Sequence, residues 1–136
     1  MYLLDTNVIS EMHKPRPHGA VLAWFRVQAE ENLHLSAVNV LELQRGAERT
    51  RKQDRPRAEK IDHWIDQIIN TLPIIALDTR IAREGARLMV GRSEDLFEDA
   101  MLAATARIHR LTVATRNLKD FALFDVPTFN PFTYSN

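Results

Sequence analysis

Short apolar segments alternate with longer segments of helical periodicity along the chain, and this alternation restricts the possible folds more than any other feature. Four apolar segments have strand character: residues 2–4, 33–36, 72–77 and 111–115. Six segments have helical spacing: residues 8–12, 20–30, 37–51, 56–70, 79–90 and 96–109. Residues 121–136 hold at most one short edge strand, because Pro127 and Pro131 interrupt them. This order predicts an α/β fold, with a mostly parallel sheet of four to five strands between helices on both faces.

Length and charge limit the class of protein. The 136 residues fit one domain, so we predict a single domain over residues 1–136. Eighteen basic and eighteen acidic residues cancel, so a polyanion has to be held by a local patch or through a metal. The absence of cysteine excludes disulfides, zinc–thiolate sites and thiol catalysis. With no basic leader and no long apolar segment, we predict a soluble, cytoplasmic protein without membrane contact.

Three acidic residues stand out against their apolar surroundings. Asp5 ends the first apolar segment, at the carboxyl end of a predicted strand, where open α/β sheets bind ligands. Glu42 and Asp99 lie on helix faces that are otherwise largely apolar. Carboxylates directed at one point repel one another unless a cation lies between them, so the pattern predicts a divalent metal site. Structural roles are the alternatives: Asp5 as a helix N-cap, and Glu42 as the ion-pair partner of Arg45 or Arg49.

The acidic segment before the last long helix contains more carboxylates than one site needs. Asp95 and Glu98 have the spacing of a capping box, which gives both a structural role. Asp99 shares its helix face with Leu102 and Ala103, where an unpaired carboxylate is costly to bury. We therefore predict Asp99 as the site residue and keep Glu98 as the alternative.

A polar segment follows the fourth predicted strand. If the first and fourth predicted strands end at the same edge of the sheet, Thr115 and Asn117 would face Asp5 there. Asp120 follows three residues after Asn117. Turn and cap roles explain these residues equally well. Arg116 is a candidate phosphate contact, or an ion-pair partner of one of the acids.

Such an acidic cluster has a specific chemistry. Mg²⁺ takes oxygen ligands, keeps several waters, and is usually held by one or two carboxylates together with substrate phosphate. A bound divalent ion polarises a phosphoryl oxygen and lowers the pKa of its water. The residues alone therefore suggest metal-assisted hydrolysis of a phosphodiester.

Five segments in fixed order resemble a known family. They are Leu-Leu-Asp-Thr-Asn at 3–7, Ser-Ala-Val-Asn-Val-Leu-Glu-Leu at 36–43, Asp-Ala-Met-Leu-Ala-Ala-Thr-Ala at 99–106, Val-Ala-Thr-Arg-Asn-Leu-Lys-Asp-Phe at 113–121 and Asn-Pro-Phe at 130–132. Together they resemble a PIN-domain ribonuclease of the VapC toxin type, over essentially the whole chain. The resemblance implies a three-layer α/β/α fold, dependence on Mg²⁺ with Mn²⁺ as a substitute, and endonucleolytic cleavage of RNA.

The resemblance also implies roles for individual residues. By matching position, the catalytic and metal-binding acids are Asp5, Glu42 and Asp99. The residues that could support the site or bind substrate are Thr6, Asn7, Thr115, Arg116, Asn117 and Asp120. Some members of the family have a fourth acid where this chain has Asn117. Asn117 could bind through its amide oxygen or a water, or Asp120 could substitute from an offset position.

Partners follow from the same resemblance. It implies an RNA substrate, an inhibiting VapB-type antitoxin, a homodimer with higher toxin–antitoxin assembly, and DNA contact only indirectly through the antitoxin. An arginine of the antitoxin could enter the acidic pocket. Trp24, Phe25, Trp64 and Ile65 have core spacing, although part of the set could form a groove for a partner helix. The basic residues of segment 45–60 could steer RNA, although mixed charge is also typical of an exposed helical corner.

Other functions remain open from the sequence. A haloacid dehalogenase-type phosphatase normally has a second Asp two residues after the first, where this chain has Asn7. A receiver domain needs an acidic pair at the first strand, which Leu4-Asp5 does not supply. A PIN-like RNA- or protein-binding module with an incomplete metal site is the non-enzymatic alternative, suggested by Asn117.

Overall fold

The computed structural model describes residues 1–136 and contains one five-stranded sheet. Its strands are β1 (Tyr2–Leu4), β2 (Leu33–Ser36), β3 (Ile74–Ile75), β4 (Thr112–Ala114) and β5 (Thr128–Phe129). All neighbouring strands are parallel, and their order is β3-β2-β1-β4-β5. The predicted parallel sheet and its late edge strand are confirmed.

Seven helices connect or follow the strands. They are α1 (Thr6–Ile9), α2 (Gly19–Arg26), α3 (Ala37–Arg51), α4 (Arg55–Thr71), α5 (Thr79–Leu88), α6 (Phe97–His109) and α7 (Leu118–Ala122). Short 3₁₀ turns cover Ser10–His13, Glu30–Asn32, Glu94–Leu96 and Pro131–Thr133. None of the helices is both long and apolar enough to cross a bilayer.

The two faces of β1 lead into two separate cores. Successive strand residues point to opposite faces, so Leu3 and Leu4 are both fully buried, but among different neighbours. Leu4 packs in a cluster that includes Trp24 of α2 and residues of α3 and α4. Leu3 packs in the other cluster, with Leu102 of α6 and residues that include α7. The result is the three-layer α/β/α arrangement that the resemblance implied.

The strand order fixes the position of the site. β1 lies at the centre of the sheet, with β2 on one side and β4 on the other. The chain moves outward from β1 to β2 and β3, then returns to the opposite side of β1 for β4 and β5. Ligands of open parallel sheets bind where the direction reverses in this way, at the carboxyl ends of the strands. Asp5 and Thr115 directly follow β1 and β4, so both lie at this point.

Some predicted elements differ from the observed ones. The strand predicted over 72–77 pairs only at Ile74–Ile75, because it is an edge strand and begins beside Pro73, which has no N–H to donate. The segment predicted as residues 20–30 ends as a helix at Arg26, and the one predicted as 8–12 is α1 followed by a 3₁₀ turn. Helix α7 was not predicted, because five residues are too few for a periodic signal.

The predicted capping box of Asp95 and Glu98 is wrong. The hydroxyl of Ser93 instead accepts a hydrogen bond from the Asp95 backbone N–H, and α6 begins two residues later without a side-chain cap. Glu98 is free of any capping role and forms a salt bridge with Arg45 of α3 at 3.0 Å. The acid kept as an alternative to Asp99 is therefore paired with a cation of the protein.

Candidate active site

Asp5 combines the two roles that its position suggested. Its Oδ1 accepts a 2.7 Å hydrogen bond from the Thr6 backbone N–H and so caps α1. Its Oδ2 accepts a 2.7 Å hydrogen bond from the hydroxyl of Thr115, across the adjacent ends of β1 and β4. Burial raises the pKa of Asp5, against the opposing effect of these two hydrogen bonds. The same carboxylate therefore caps α1 with one oxygen and is held at the candidate site through the other.

Thr6 links the end of β1 to α3. Its hydroxyl donates to Oε1 of Glu42 at 2.8 Å and accepts from the side-chain amide of Asn39 at 3.0 Å. Asn39 is itself fixed, because its Oδ1 accepts from the Ser36 backbone N–H in the capping box of α3. The Glu42 side chain is therefore held toward the sheet by a chain of hydrogen bonds that begins at the end of β2.

Glu42 does not form the ion pair that was its alternative explanation. No salt bridge joins it to Arg45 or Arg49, since Arg45 pairs with Glu98. Burial raises the pKa of Glu42, and the negative charges of Asp5 and Glu98 add to the effect. Its carboxylate therefore lies within the electrostatic field of Asp5.

Asp99 is the acid of the cluster that lacks a partner. It lies in the first turn of α6, where the neighbouring Ala100 and Ala103 are fully buried and allow the helix to approach the sheet. No group of the protein donates a hydrogen bond to its carboxylate, and no cation pairs with it. Burial, followed by the charges of Asp5, Asp120, Glu42 and Glu98, raises the pKa of Asp99 to about 7. The structure therefore brings Asp5, Glu42 and Asp99 into one electrostatic neighbourhood.

Asp120 and Asn117 form the fourth side of the cluster. The backbone N–H of Asn117 donates to the Thr115 hydroxyl at 2.8 Å, and its side-chain amide donates to Oδ2 of Asp120 at 2.7 Å. The charge of Asp120 acts on Asp99 more strongly than that of Glu42 does. A fourth carboxylate therefore acts on the cluster from α7, oriented by the side-chain amide of Asn117.

The cluster has the donor set of a hard cation without forming a closed cage. No group of three acidic or histidine side chains is close enough to surround one ion unaided. Mg²⁺ needs only one or two direct carboxylates, because it retains water on its other positions. All the donors are oxygens, and burial together with the charges of Asp5, Asp120, Glu42 and Glu98 raises the pKa of Asp99, which has no protein cation beside it. The residues therefore fit a magnesium-like ion that completes its shell with water.

Arg116 stays outside the acidic cluster. Its backbone N–H donates to Oδ1 of Asn7 at 3.4 Å, and its guanidinium carbon lies 3.7 Å from the ring centroid of Phe132. It forms no salt bridge. This cation–π contact holds an exposed guanidinium beside the site, directly after Thr115 in sequence.

Glu11 is a buried acid that the sequence analysis missed. Its carboxylate pairs with Lys14 and accepts the His18 backbone N–H at 2.9 Å. Burial disfavours the ionised form, but these hydrogen bonds and the charges of Lys14 and Arg116 outweigh it and lower the pKa of Glu11. The sequence signal for this salt bridge was the three-residue spacing of Glu11 and Lys14, which places both side chains on one face of a helical turn.

Comparisons with known proteins agree with this geometry. The family model described as the PIN domain matches residues 2–126. The chain is 36% identical to the Toxin FitB of Neisseria gonorrhoeae over 139 residues, covering 97% of this chain and 99% of that protein. It is 34% identical to the VapC ribonuclease Y4jK of Sinorhizobium fredii over 148 residues, covering 97% of this chain and 98% of that protein.

Solved structures agree in fold. The crystal structure of FitAcB from Neisseria gonorrhoeae matches with a TM-score of 0.87 and 34% identity, over 98% of this chain and 100% of that one. A toxin–antitoxin complex from Klebsiella pneumoniae matches with a TM-score of 0.69 and 26% identity, over 96% of this chain and 98% of that one. The sheet order, the acidic cluster at its switch point and these matches lead to one conclusion: the chain belongs to the PIN-domain family.

Proposed function

We propose that this chain is a Mg²⁺-dependent endoribonuclease that acts as the toxin of a toxin–antitoxin pair in the cytoplasm. The observation that carries the proposal is the convergence of Asp5, Glu42 and Asp99 at the switch point of the sheet, with no protein cation at Asp99. Relatives named as a toxin and as a VapC ribonuclease support the same activity.

Each residue has a defined part in this proposal. Asp5 and Asp99 would hold the cation, with Glu42 as the third acid and Mn²⁺ as a substitute ion. When bound, the ion would polarise a phosphoryl oxygen and lower the pKa of a bound water. Thr115 and Thr6 orient Asp5 and Glu42 through hydroxyl hydrogen bonds.

Arg116 is the substrate contact of the proposal. Its guanidinium is exposed, forms no salt bridge, and is oriented by Phe132. A planar guanidinium with free N–H groups binds phosphate oxygens in pairs. An RNA phosphate beside the acids would therefore contact Arg116 on one side and the cation on the other.

A protein inhibitor completes the proposal. The match to a toxin–antitoxin complex supports a VapB-type antitoxin as partner. The uncompensated charge at Asp99 would accept an arginine from such a partner, which would compete with the cation. A complex in which the partner leaves the acids uncovered would contradict this part of the proposal.

Cleavage assays test the activity. The purified chain is incubated with structured RNAs under Mg²⁺, Mn²⁺ or EDTA, alongside Asp5→Asn and Asp99→Asn. We expect cleavage with either metal and none in EDTA or in the two variants. A folded wild-type protein that binds RNA without cleaving it would instead favour a PIN-like binding module, the reading suggested by Asn117 and by the absence of a closed cage.

A further inference from the structure

The basic segment that precedes and begins α4 divides into paired and unpaired cations. Arg45 pairs with Glu98, and Arg51 pairs with Glu48 and Asp62. Arg57 and Lys60 are exposed and form no salt bridge. The charges of Arg45 and Arg51 are compensated by acids of the same chain. Arg57 and Lys60 lack such a partner, so their charge is available to a ligand.

Arg57 and Lys60 lie on one face of α4 because they are three residues apart, and Trp64 extends that face by another turn. This face is opposite the 3₁₀ turn that follows α1. The ring of Trp64 stacks on His13, with centroids 4.8 Å apart and an interplanar angle of 28°. The stacking fixes the distance between the two elements and leaves a hollow beside it.

We call this space the basic hollow; it has a volume of about 350 Å³. It is lined by His13, Lys14, Pro15, Arg57 and Lys60. Pro15 is the one lining residue without a polar side chain. Burial and the charge of Arg57 lower the pKa of His13, which favours the neutral imidazole, with one nitrogen as a donor and one as an acceptor.

The composition of the basic hollow favours a phosphate ligand over a protein segment. Four polar or charged side chains and one proline line the hollow, with no large hydrophobic side chain among them, whereas the core of a protein interface is apolar and aromatic. Contacts to nucleic acid are polar and strongly positive, and most of them go to phosphate and sugar. Two free cations with one neutral imidazole match the second pattern.

The basic hollow is connected to the acidic cluster through short elements. Lys14 is separated from Asp5 along the chain only by the four residues of α1 and a four-residue 3₁₀ turn. Lys14 pairs with Glu11, and the charge of Arg116 also acts on Glu11. Both cations therefore lie near Glu11, which belongs to the segment that joins the acids to the hollow.

We propose that the basic hollow binds a backbone phosphate of single-stranded RNA at some distance from the bond that is cleaved, with Arg57 and Lys60 as the contacting cations. The inference rests on the proposed RNA substrate and adds a second anchoring point to it. Its contribution is independent of base sequence, because phosphate contacts carry no sequence information.

Binding without hydrolysis tests this site. A fluorescently labelled single-stranded RNA oligonucleotide of mixed sequence is titrated with the full chain in EDTA, at several salt concentrations. The test variant is Arg57→Gln/Lys60→Gln. The matched control is Arg80→Gln/Arg83→Gln on α5, which removes the same charge. These two arginines line a separate cavity, together with Ile108 of α6. All four residues are exposed, and circular dichroism and thermal melting verify that both variants fold.

We expect the test variant to bind about tenfold more weakly than wild type at moderate salt. The slope of log K against log salt should fall by about 1.4, since each phosphate contact to a single strand contributes about 0.7. The control should keep the wild-type slope. Equal weakening in both variants would reveal a general charge effect and overturn the proposal, as would the absence of RNA binding by the wild type at low salt.

Two further outcomes separate this inference from the proposed nuclease. If the wild type cleaves no RNA with Mg²⁺ but binding still depends on Arg57 and Lys60, the nuclease proposal fails and the basic hollow stands. If RNA binding is unchanged in the test variant while a co-expressed antitoxin no longer co-purifies with it, the hollow belongs to a protein partner and the inference is overturned.

Discussion

The hydroxyl of Thr115 donates a 2.7 Å hydrogen bond to Oδ2 of Asp5, although the two residues are 110 positions apart in the chain. Both are buried, and each directly follows one of the two strands that meet at the switch point of the sheet. The Thr115 hydroxyl also accepts the Asn117 backbone N–H. A continuous line of hydrogen bonds therefore orients Asp5 from the loop after β4.

Thr115→Val tests this relationship, because valine keeps the shape of threonine and removes the hydroxyl. We expect the free energy of unfolding at neutral pH to fall by about 1–3 kcal/mol, since the buried Asp5 carboxylate loses a donor and the Asn117 N–H loses an acceptor. Denaturant unfolding provides the measurement. Thr115→Ser, which keeps the hydroxyl and removes the methyl group, is the control and should stay near wild type. A loss in the serine variant with none in the valine variant would mean that the methyl group, and not the hydroxyl, matters.

Asp99→Asn should stabilise the protein at pH 8 in EDTA. The pKa of Asp99 is raised to about 7 in the folded state, against about 3.9 in an unfolded chain. The wild type therefore loses stability as the pH rises from about 4 through about 7. In that range Asp99 gives up its proton more readily in the unfolded state than in the folded state, so rising pH favours unfolding. Because the carboxyl is partly exposed and solvent screens it, we expect the free energy of unfolding of the variant to exceed that of wild type by only about 1–2 kcal/mol at pH 8. The gain should vanish near pH 4; a less stable variant at pH 8 would contradict the prediction.

Mg²⁺ should raise the melting temperature of the wild type at pH 7 and release protons as it binds. The stabilisation at one hundred times Kd is about 2.7 kcal/mol. Proton release follows because a cation favours the ionised form of a carboxyl whose pKa is near 7. Calorimetry in buffers of different ionisation enthalpy measures it. Asp99→Asn should lose both effects, whereas Glu94→Gln, which changes an exposed acid without a hydrogen bond or salt bridge, should keep both.

Glu11→Gln should have the opposite pH dependence to Asp99→Asn. The pKa of Glu11 is lowered in the folded state, so its stabilisation is present above its unfolded pKa of about 4.3 and is lost as the pH falls through the folded value. We expect a loss of about 2 kcal/mol at pH 7, as for hydrogen bonds to a buried charge, and a smaller loss at pH 3. Urea unfolding at both pH values checks this. Glu31→Gln, at an exposed and unpaired position, is the control and should match wild type.

Sequence periodicity was sufficient for much of the fold. The apolar run of β1 and the alternation of β2 gave both strands at their observed bounds, and α3 was long enough for its spacing to give both ends. β3 was predicted as a strand but over too many residues, because its length depends on its position at the sheet edge, and α7 was too short for a periodic signal. Strand order is a tertiary property, so local spacing did not reveal that β1 is central.

The acidic residues of the candidate site were easier to predict than the groups that orient them. Asp5 and Asp99 stood out because a carboxylate interrupts an apolar pattern at each position. The threonine hydroxyls were ambiguous, because Thr6 and Thr115 become informative only when β1 and β4 are known to be neighbours. Asp120 was named as an offset substitute, but its effect on Asp99 depends on α7, which was not predicted.

The central position of β1 has a consequence for biosynthesis. The ribosome releases the amino-terminal residues first, yet β1 completes its pairing only with β4, and Oδ2 of Asp5 receives its donor only when Thr115 has emerged. Contacts of such long sequence separation form late during folding. A nascent or truncated chain that ends before residue 112 therefore contains Asp5 without the β4 pairing and the Thr115 hydrogen bond that orient it. The acidic cluster is assembled only when translation is nearly finished.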